Sequence, residues 1–136
     1  MSKQKWLMIT GTSSGVGQAC SRLLSQEHYR VIACVRNEKD AQILKRQSPN
    51  SIYPVIMDLT DQPSIIKTMA KAGELTGEAG LTGLINCAGI LYCGPLEYFP
   101  REQWFDQYDV NLFGTMALTK AMLPLIRKAK GRVINI

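Results

Sequence analysis

The chain has 136 residues, 46% of them hydrophobic and 20% charged, with a formal net charge of +5 at pH 7. This length and apolar content match one ordinary globular domain and exclude a disordered or repetitive chain. No apolar run approaches the roughly 20 residues needed to span a bilayer, and residues 1–5 lead straight into an apolar run instead of a secretory signal, which points to a cytoplasmic protein.

The first apolar run, residues 6–10, is followed at once by Gly11, Gly15 and Gly17. Apolar residues then fall at Val16, Ala19, Cys20, Leu23 and Leu24, the spacing of one helix face. The order is strand, glycine loop, helix. Glycine suits that junction because the chain must turn sharply, let a pyrophosphate approach the backbone, and pack the helix against the sheet. The free N–H groups of the first helical turn, around Gly15, Val16 and Gly17, form an anion site without any lysine, and the hydroxyls of Ser13 and Ser14 add donors. A tight strand-to-helix turn with no ligand would use the same glycines.

The second strand-like run covers residues 30–35. A domain that binds NAD places a carboxylate at the end of this strand, about 20 residues past the glycines, to accept from the ribose 2′-OH. Here Val35 takes that place and Arg36 follows. A guanidinium offers planar paired donors to a phosphate, so the pattern favours NADP over NAD, with a solvated charge at a loop start as the alternative reading of Arg36.

Further strand-like runs at 52–57, 83–87 and 132–136 alternate with helical segments, which predicts a parallel sheet covered on both faces. Right-handed crossovers and the early glycine loop specify a Rossmann-type doubly wound α/β fold with strand order 3-2-1-4-5. Pro54 cannot donate a ladder hydrogen bond and belongs on a sheet edge, where that order puts the third strand. Residues 61–79 read as a helix with Pro63 near its start and Gly73 and Gly77 weakening its second half. Residues 111–128 read as a long helix with apolar residues over an arc wider than one sheet-facing stripe needs, so its second face is expected to be covered, packing within the chain being one way. Arg127, Lys128, Lys130 and Arg132 at its end complement the helix dipole, and no interleaved aromatics suggest nucleic acid. Cys20, Cys34, Cys87 and Cys93 form no C-x-x-C pair, and His28 is the only histidine, so neither a metal site nor a disulfide framework is expected. Cys20, Cys34 and Cys87 lie in apolar stretches and are expected to be buried.

The G-x-x-x-G-x-G segment at 10–17, Asn86-Cys87-Ala88-Gly89, Asp109-Val110-Asn111-Leu112-Phe113-Gly114 and Arg132-Val133-Ile134-Asn135-Ile136 occur in the order found in the classical short-chain dehydrogenase/reductase family. Essentially the whole chain resembles the N-terminal portion of that family. The resemblance implies an oxidoreductase that transfers hydride between a nicotinamide cofactor and a small-molecule alcohol or carbonyl, with no nucleic-acid partner, and a homo-oligomer contact through the helix 111–128, with which packing within the chain competes. It implies that Gly11, Ser13, Ser14, Gly15, Val16 and Gly17 hold the pyrophosphate and that Asp58, with Leu59, serves the adenine. Capping of the next helix competes for Asp58. Asn86, Ala88 and Gly89 would admit the ribose and nicotinamide, with Asn86 also tying strands together, and Cys87 stands where the family has a second asparagine. Asn111 matches the family's catalytic asparagine, a water-holding role that competes with capping the long helix.

The family's tyrosine, the lysine four residues on and the serine would come after the last strand here. None of Tyr29, Tyr53, Tyr92, Tyr98 or Tyr108 has a lysine four positions later. The expectation is therefore a cofactor-binding domain over 1–136, incomplete at its C-terminal side, inactive alone and ending in an unpaired edge strand. A non-catalytic nucleotide-binding or interaction module is the alternative. Residues 94–97 and 123–125 resemble retinol- and steroid-type members, which implies an apolar substrate.

Overall fold

The computed structural model describes residues 4–136. Five strands, β1 (Trp6–Ile9), β2 (Arg30–Val35), β3 (Ile52–Ile56), β4 (Gly83–Asn86) and β5 (Arg132–Asn135), pair in parallel in the order β3-β2-β1-β4-β5. The expected topology is the one observed. Strand alternation sends Met8, Ile32 and Leu84 to one face and Ile9, Val31, Ala33 and Ile85 to the other, so the inner strands are apolar throughout. Helices α1 (Gly15–Gln26) and α2 (Glu38–Gln47) flank the second face, where Ala41 and Leu44 pack. Helices α3 (Gln62–Thr76) and α5 (Thr115–Ala129) cover the first, through Ile65, Ala72, Leu118, Met122 and Ile126. Pro54 lies on the outer strand β3; Met57 N donates to Val35 O at 2.8 Å, so by alternation the amide that Pro54 lacks would have faced away from β2.

Three elements depart from the sequence expectation. Helix α1 does not bury its apolar stripe: Gly17, Ser21 and Ser25 are buried, Cys20 and Leu24 are half-buried, and Val16 and Leu23 are 54% and 60% exposed. Close approach explains this choice, since a Cβ on Gly17 would lie 2.3 Å from Gly11 O, and only small side chains fit beneath a helix so placed. The buried hydroxyls remain satisfied, Ser21 donating to Gln18 O at 2.9 Å and Ser25 to Arg22 O at 2.8 Å. Helix α3 is capped by Asp61, whose carboxylate accepts from Ser64 N at 3.1 Å, and it passes through Gly73 before stopping at Gly77, φ 49°. A 3-10 turn, Gly77–Ala79, replaces the last stretch of the expected helix.

The long helix begins earlier than its apolar pattern suggests. Helix α4 (Arg101–Tyr108) runs through a π-helical turn, Asp109–Gly114, directly into α5, so Asn111 is inside the helical stretch and not at its cap. Gly114 sits at this turn because a Cβ there would lie 2.6 Å from Leu59 O. Cys34 is buried as expected, whereas Cys20 and Cys87 are half-buried and Cys93 is exposed. Among the described residues no helix is long and apolar enough to cross a membrane.

All four residues of β5 are exposed, Val133 by 37% and Ile134 by 47%, and among the described residues β5 pairs only with β4. An apolar edge of this kind is a template for pairing with another chain. The chain should therefore self-associate as concentration rises in sedimentation velocity, and Ile134→Lys should suppress this while changing unfolding stability by less than about 0.5 kcal/mol. A parent chain that stays monomeric at every concentration refutes the expectation.

Candidate functional site

The carboxyl ends of all five strands converge on one open cavity of about 530 Å³. The glycine loop follows β1, Arg36 follows β2, Met57 to Thr60 follow β3, Cys87 to Ile90 follow β4, and Ile136 follows β5. Ligands of doubly wound sheets occupy this position, where the strand order reverses between β1 and β4.

Contact between two loops shapes the floor. Gly11 adopts φ 66°, and a Cβ there would lie 2.8 Å from Ala88 Cα, so the glycine loop rests directly on the loop after β4. Thr10 locks the pair: its hydroxyl accepts from Cys87 N at 3.1 Å and Ala88 N at 3.0 Å. Thr12 ties the same loop to β2, its hydroxyl donating to Cys34 O at 3.0 Å. Gly15, φ 56°, has nothing within 4 Å of where its Cβ would be, so its open side faces the cavity. The N-cap Ser14 makes no side-chain cap bond, and the first amide with a carbonyl partner in the turn is Gln18 N, to Ser14 O at 3.2 Å. The amides of Gly15, Val16 and Gly17 are therefore the orphan donors of a helix start, aimed at the cavity.

On the β2–β3 side, Arg36 is exposed, lines the cavity, and has no side-chain hydrogen bond or ion pair among the described residues. Asp58 Oδ1 accepts from Thr60 N and Thr60 Oγ1, both at 2.8 Å. These bonds, the backbone one foremost, hold its carboxyl below the usual carboxylate range, and Arg36 adds a smaller pull. Asp58 does not cap α3, a role that Asp61 fills, because its carboxylate is already closed into a turn with Thr60.

Gly11, Ser13, Ser14, Gly15, Val16, Gly17, Arg36, Asp58, Leu59, Ala88 and Gly89 all line this cavity. Asn86 and Asn111 do not. Asn86 is buried and donates to Asn135 Oδ1 at 2.8 Å and Thr119 Oγ1 at 3.2 Å, tying β4 to β5 and α5. Asn111 grips the wall from behind: Nδ2 donates to Ile90 O and Oδ1 accepts from Ile90 N, both at 2.8 Å. Its amide thus serves the cavity loop instead of a helix cap. Sequence reasoning gave no role to Thr12, Thr60, Ile90, Tyr92, Asp106 or Val110. The buried hydroxyls of Thr10 and Thr12 carried a usable signal, because a polar group at the end of a buried strand needs a partner.

Burial pushes the Cys34 thiol up to about 12, and burial followed by the nearby Cys20 raises Cys87. Neither is a thiolate at neutral pH. Among the described residues no group of three or more metal-ligating side chains is found. The cavity therefore offers free backbone amides, one unpaired guanidinium and apolar walls, a set suited to a phosphate-bearing dinucleotide.

Residues 5–136 match the sequence model of the short chain dehydrogenase family. The chain belongs to that family. Its members bind NAD(P) and are oxidoreductases. Retinol dehydrogenase 7 of Mus musculus is 39% identical over 134 residues, covering 98% of this chain and 42% of the relative. A short-chain dehydrogenase from Streptomyces avermitilis superposes with a TM-score of 0.89 at 28% identity, covering 99% of this chain and 50% of that one. The NADPH-bound carbonyl reductase from chicken fatty liver gives a TM-score of 0.88 at 26% identity, covering 100% and 58% respectively. The chain spans less than half the length of the curated relative it matches.

Two variants probe this geometry. Gly17→Ala should destabilise the chain by roughly 1–3 kcal/mol in denaturant unfolding, because the added methyl meets the backbone of Gly11. Asp58 is favoured as a carboxylate in the folded state, so its contribution is complete above the unfolded pKa and is lost as pH falls through the lower folded value. Asp58→Asn should therefore lower Tm at about pH 6, with the deficit shrinking toward about pH 2. A deficit independent of pH would assign the effect to packing.

Proposed function

We propose that this chain holds NADP(H), in preference to NAD(H), for an oxidoreductase acting on the carbonyl or alcohol group of a small apolar molecule. Arg36 carries this reading. It follows directly on the buried apolar end of β2, where an NAD-selective site would present a carboxylate, and it lines the cavity with no anion bonded to it among the described residues. A guanidinium so placed can take a ribose 2′-phosphate through paired charge-assisted donors.

In this reading the amides of Gly15, Val16 and Gly17, with the hydroxyls of Ser13 and Ser14, take the pyrophosphate. Asp58 and Leu59 flank the adenine, and Ala88 and Gly89 let ribose and nicotinamide lie against backbone. When bound, the nicotinamide supplies hydride chemistry. Asn111 positions the Ile90 wall beside it. The NADPH in the chicken reductase and the retinol named for the mouse relative agree with this cofactor and an apolar substrate. A cytoplasmic location and a homo-oligomer through residues 111–128, where Phe113 and Met116 are exposed, belong to the same proposal.

A second reading, a nucleotide-binding module without turnover, is favoured by one observation. Among the described residues Tyr92 is the only tyrosine lining the cavity, and position 96 is a leucine, so no lysine stands four residues on to lower its pKa. By itself, then, the chain should bind and not turn over. Intact mass of the native gene product separates the readings: a mass well above 15.1 kDa supports the enzyme, and a 15.1 kDa species leaves binding alone.

Fluorescence titration tests the cofactor. NADPH should bind at least about tenfold more tightly than NADH, and Arg36→Ala should cost NADPH roughly 10- to 100-fold while changing NADH little. Equal affinities in the parent, or an unaltered NADPH affinity in the variant, would sink the assignment.

A further inference from the structure

The end of the sheet opposite the cavity gathers the cations. All five strands run parallel, so their carboxyl ends meet the cavity and their amino ends share the far side. Lys5 precedes β1, Arg30 opens β2 and Arg132 opens β5. Register sets Trp6 beside Arg30 and Gly83 beside Arg132, which places these residues along one row across the sheet. Helix α5 returns to the same end, where Leu81 N donates to Leu125 O at 2.9 Å and Gly131 N to Ile126 O at 2.8 Å, bringing Arg127, Lys128 and Lys130 with it. Lys45 and Arg46, in the last turn of α2, extend the patch toward β3.

The acids are segregated the other way. Of the chain's 11 acidic residues, only Glu27, Glu74 and Glu78 lie in segments that reach this end. Glu74 pairs with Lys71 and Glu78 with Lys128, each at 3.0 Å. The remaining acids sit in the loops at the carboxyl ends of the strands or in the helices that start there. Strands of four to six residues separate the two ends by roughly 13–20 Å, beyond the Debye length of about 8 Å at physiological salt, so each end presents its own field.

We propose that this basic end docks on the surface of an anionic phospholipid bilayer, leaving the cavity facing water. Four cations within six residues, from Arg127 to Arg132, are a density that anionic headgroups attract, and the strand-start cations widen it into a broad face. Long aliphatic stems let these side chains reach out from the helix and strand ends. A nucleic acid is the poorer fit. The aromatic rings at this end are already engaged, Arg30 lying over the buried Trp6 at 5.3 Å, Lys5 over the half-buried Tyr29 at 5.9 Å, and the half-buried Tyr53 against Trp6 at 5.0 Å, so none stands free for stacking on bases. The inference stands on charge placement and is independent of the cofactor reading.

Cosedimentation of the intact chain with sucrose-loaded vesicles tests it. Vesicles with roughly a third phosphatidylserine in phosphatidylcholine should bind the chain, and pure phosphatidylcholine should not, with binding lost between about 0.1 and 0.5 M salt. The variant Arg127→Gln/Lys130→Gln/Arg132→Gln should bind roughly 30- to 100-fold more weakly, with unchanged circular dichroism and unchanged NADPH titration. Lys45→Gln/Arg46→Gln, on a different element, should weaken binding independently. Equal uptake by neutral vesicles, or full affinity in both variants, overturns the proposal. Tighter binding to duplex DNA than to the anionic vesicles at equal salt overturns it in favour of nucleic acid.

Discussion

The architecture depends on a backbone-to-backbone contact that no side chain could occupy. Gly17 in the first turn of α1 lies against Gly11 O, and Gly11 lies against Ala88, so β1, α1 and the loop after β4 meet without an intervening Cβ. That closeness draws α1 down onto its small-residue face, aims its first amides into the cavity, and brings Ala88 and Gly89 to the same floor. From the β1 side the Thr10 hydroxyl accepts from two successive amides of the loop after β4, so a buried hydroxyl replaces the ladder hydrogen bonds that stop where the strands diverge.

Much of this was legible because it follows from local rules. Alternating apolar runs, the proline in an outer strand and the glycine loop gave the parallel sheet and its order. Arg36 was legible because its position is counted from the glycines along a single βαβ unit. Helix α1 was misread for a physical reason: the apolar period assumes that a helix buries its largest side chains, whereas a helix held at van der Waals distance buries Gly17, Ser21 and Ser25. The start of α4 was obscure because its apolar residues, Trp104 and Phe105 among them, are exposed and form no inward stripe. The partner of Asn111 was beyond reach because Ile90 is joined to it only by tertiary structure.

Charge repeats the sheet's polarity. Helix α2 begins at the cavity end with Glu38 and Asp40 in its first turn and ends on Lys45 and Arg46, and α5 ends on Arg127 and Lys128, whereas α1 and α3 carry neither first-turn acids nor last-turn cations. Each arrangement is locally favourable against the helix dipole. Because α2 and α5 point the same way, their terminal charges add to those of Arg30 and Arg132 at the strand starts, and a modest net charge concentrates at one end.

The π-helical turn between α4 and α5 fixes an angular phase. Every residue in a helix advances the side-chain direction by about 100°, and the wider turn at Asp109–Gly114 absorbs one residue beyond the α-helical count. Shortening that segment by one residue would leave α5 seated on the sheet but rotate all of α4 by about that angle. Gln107, which accepts from Tyr92 N at 3.0 Å, would swing away from the cavity loop, and the exposed aromatic side of α4 would point elsewhere. Chain length at this one place therefore works as a dial, setting which side of α4 the cavity meets without touching the core beneath α5.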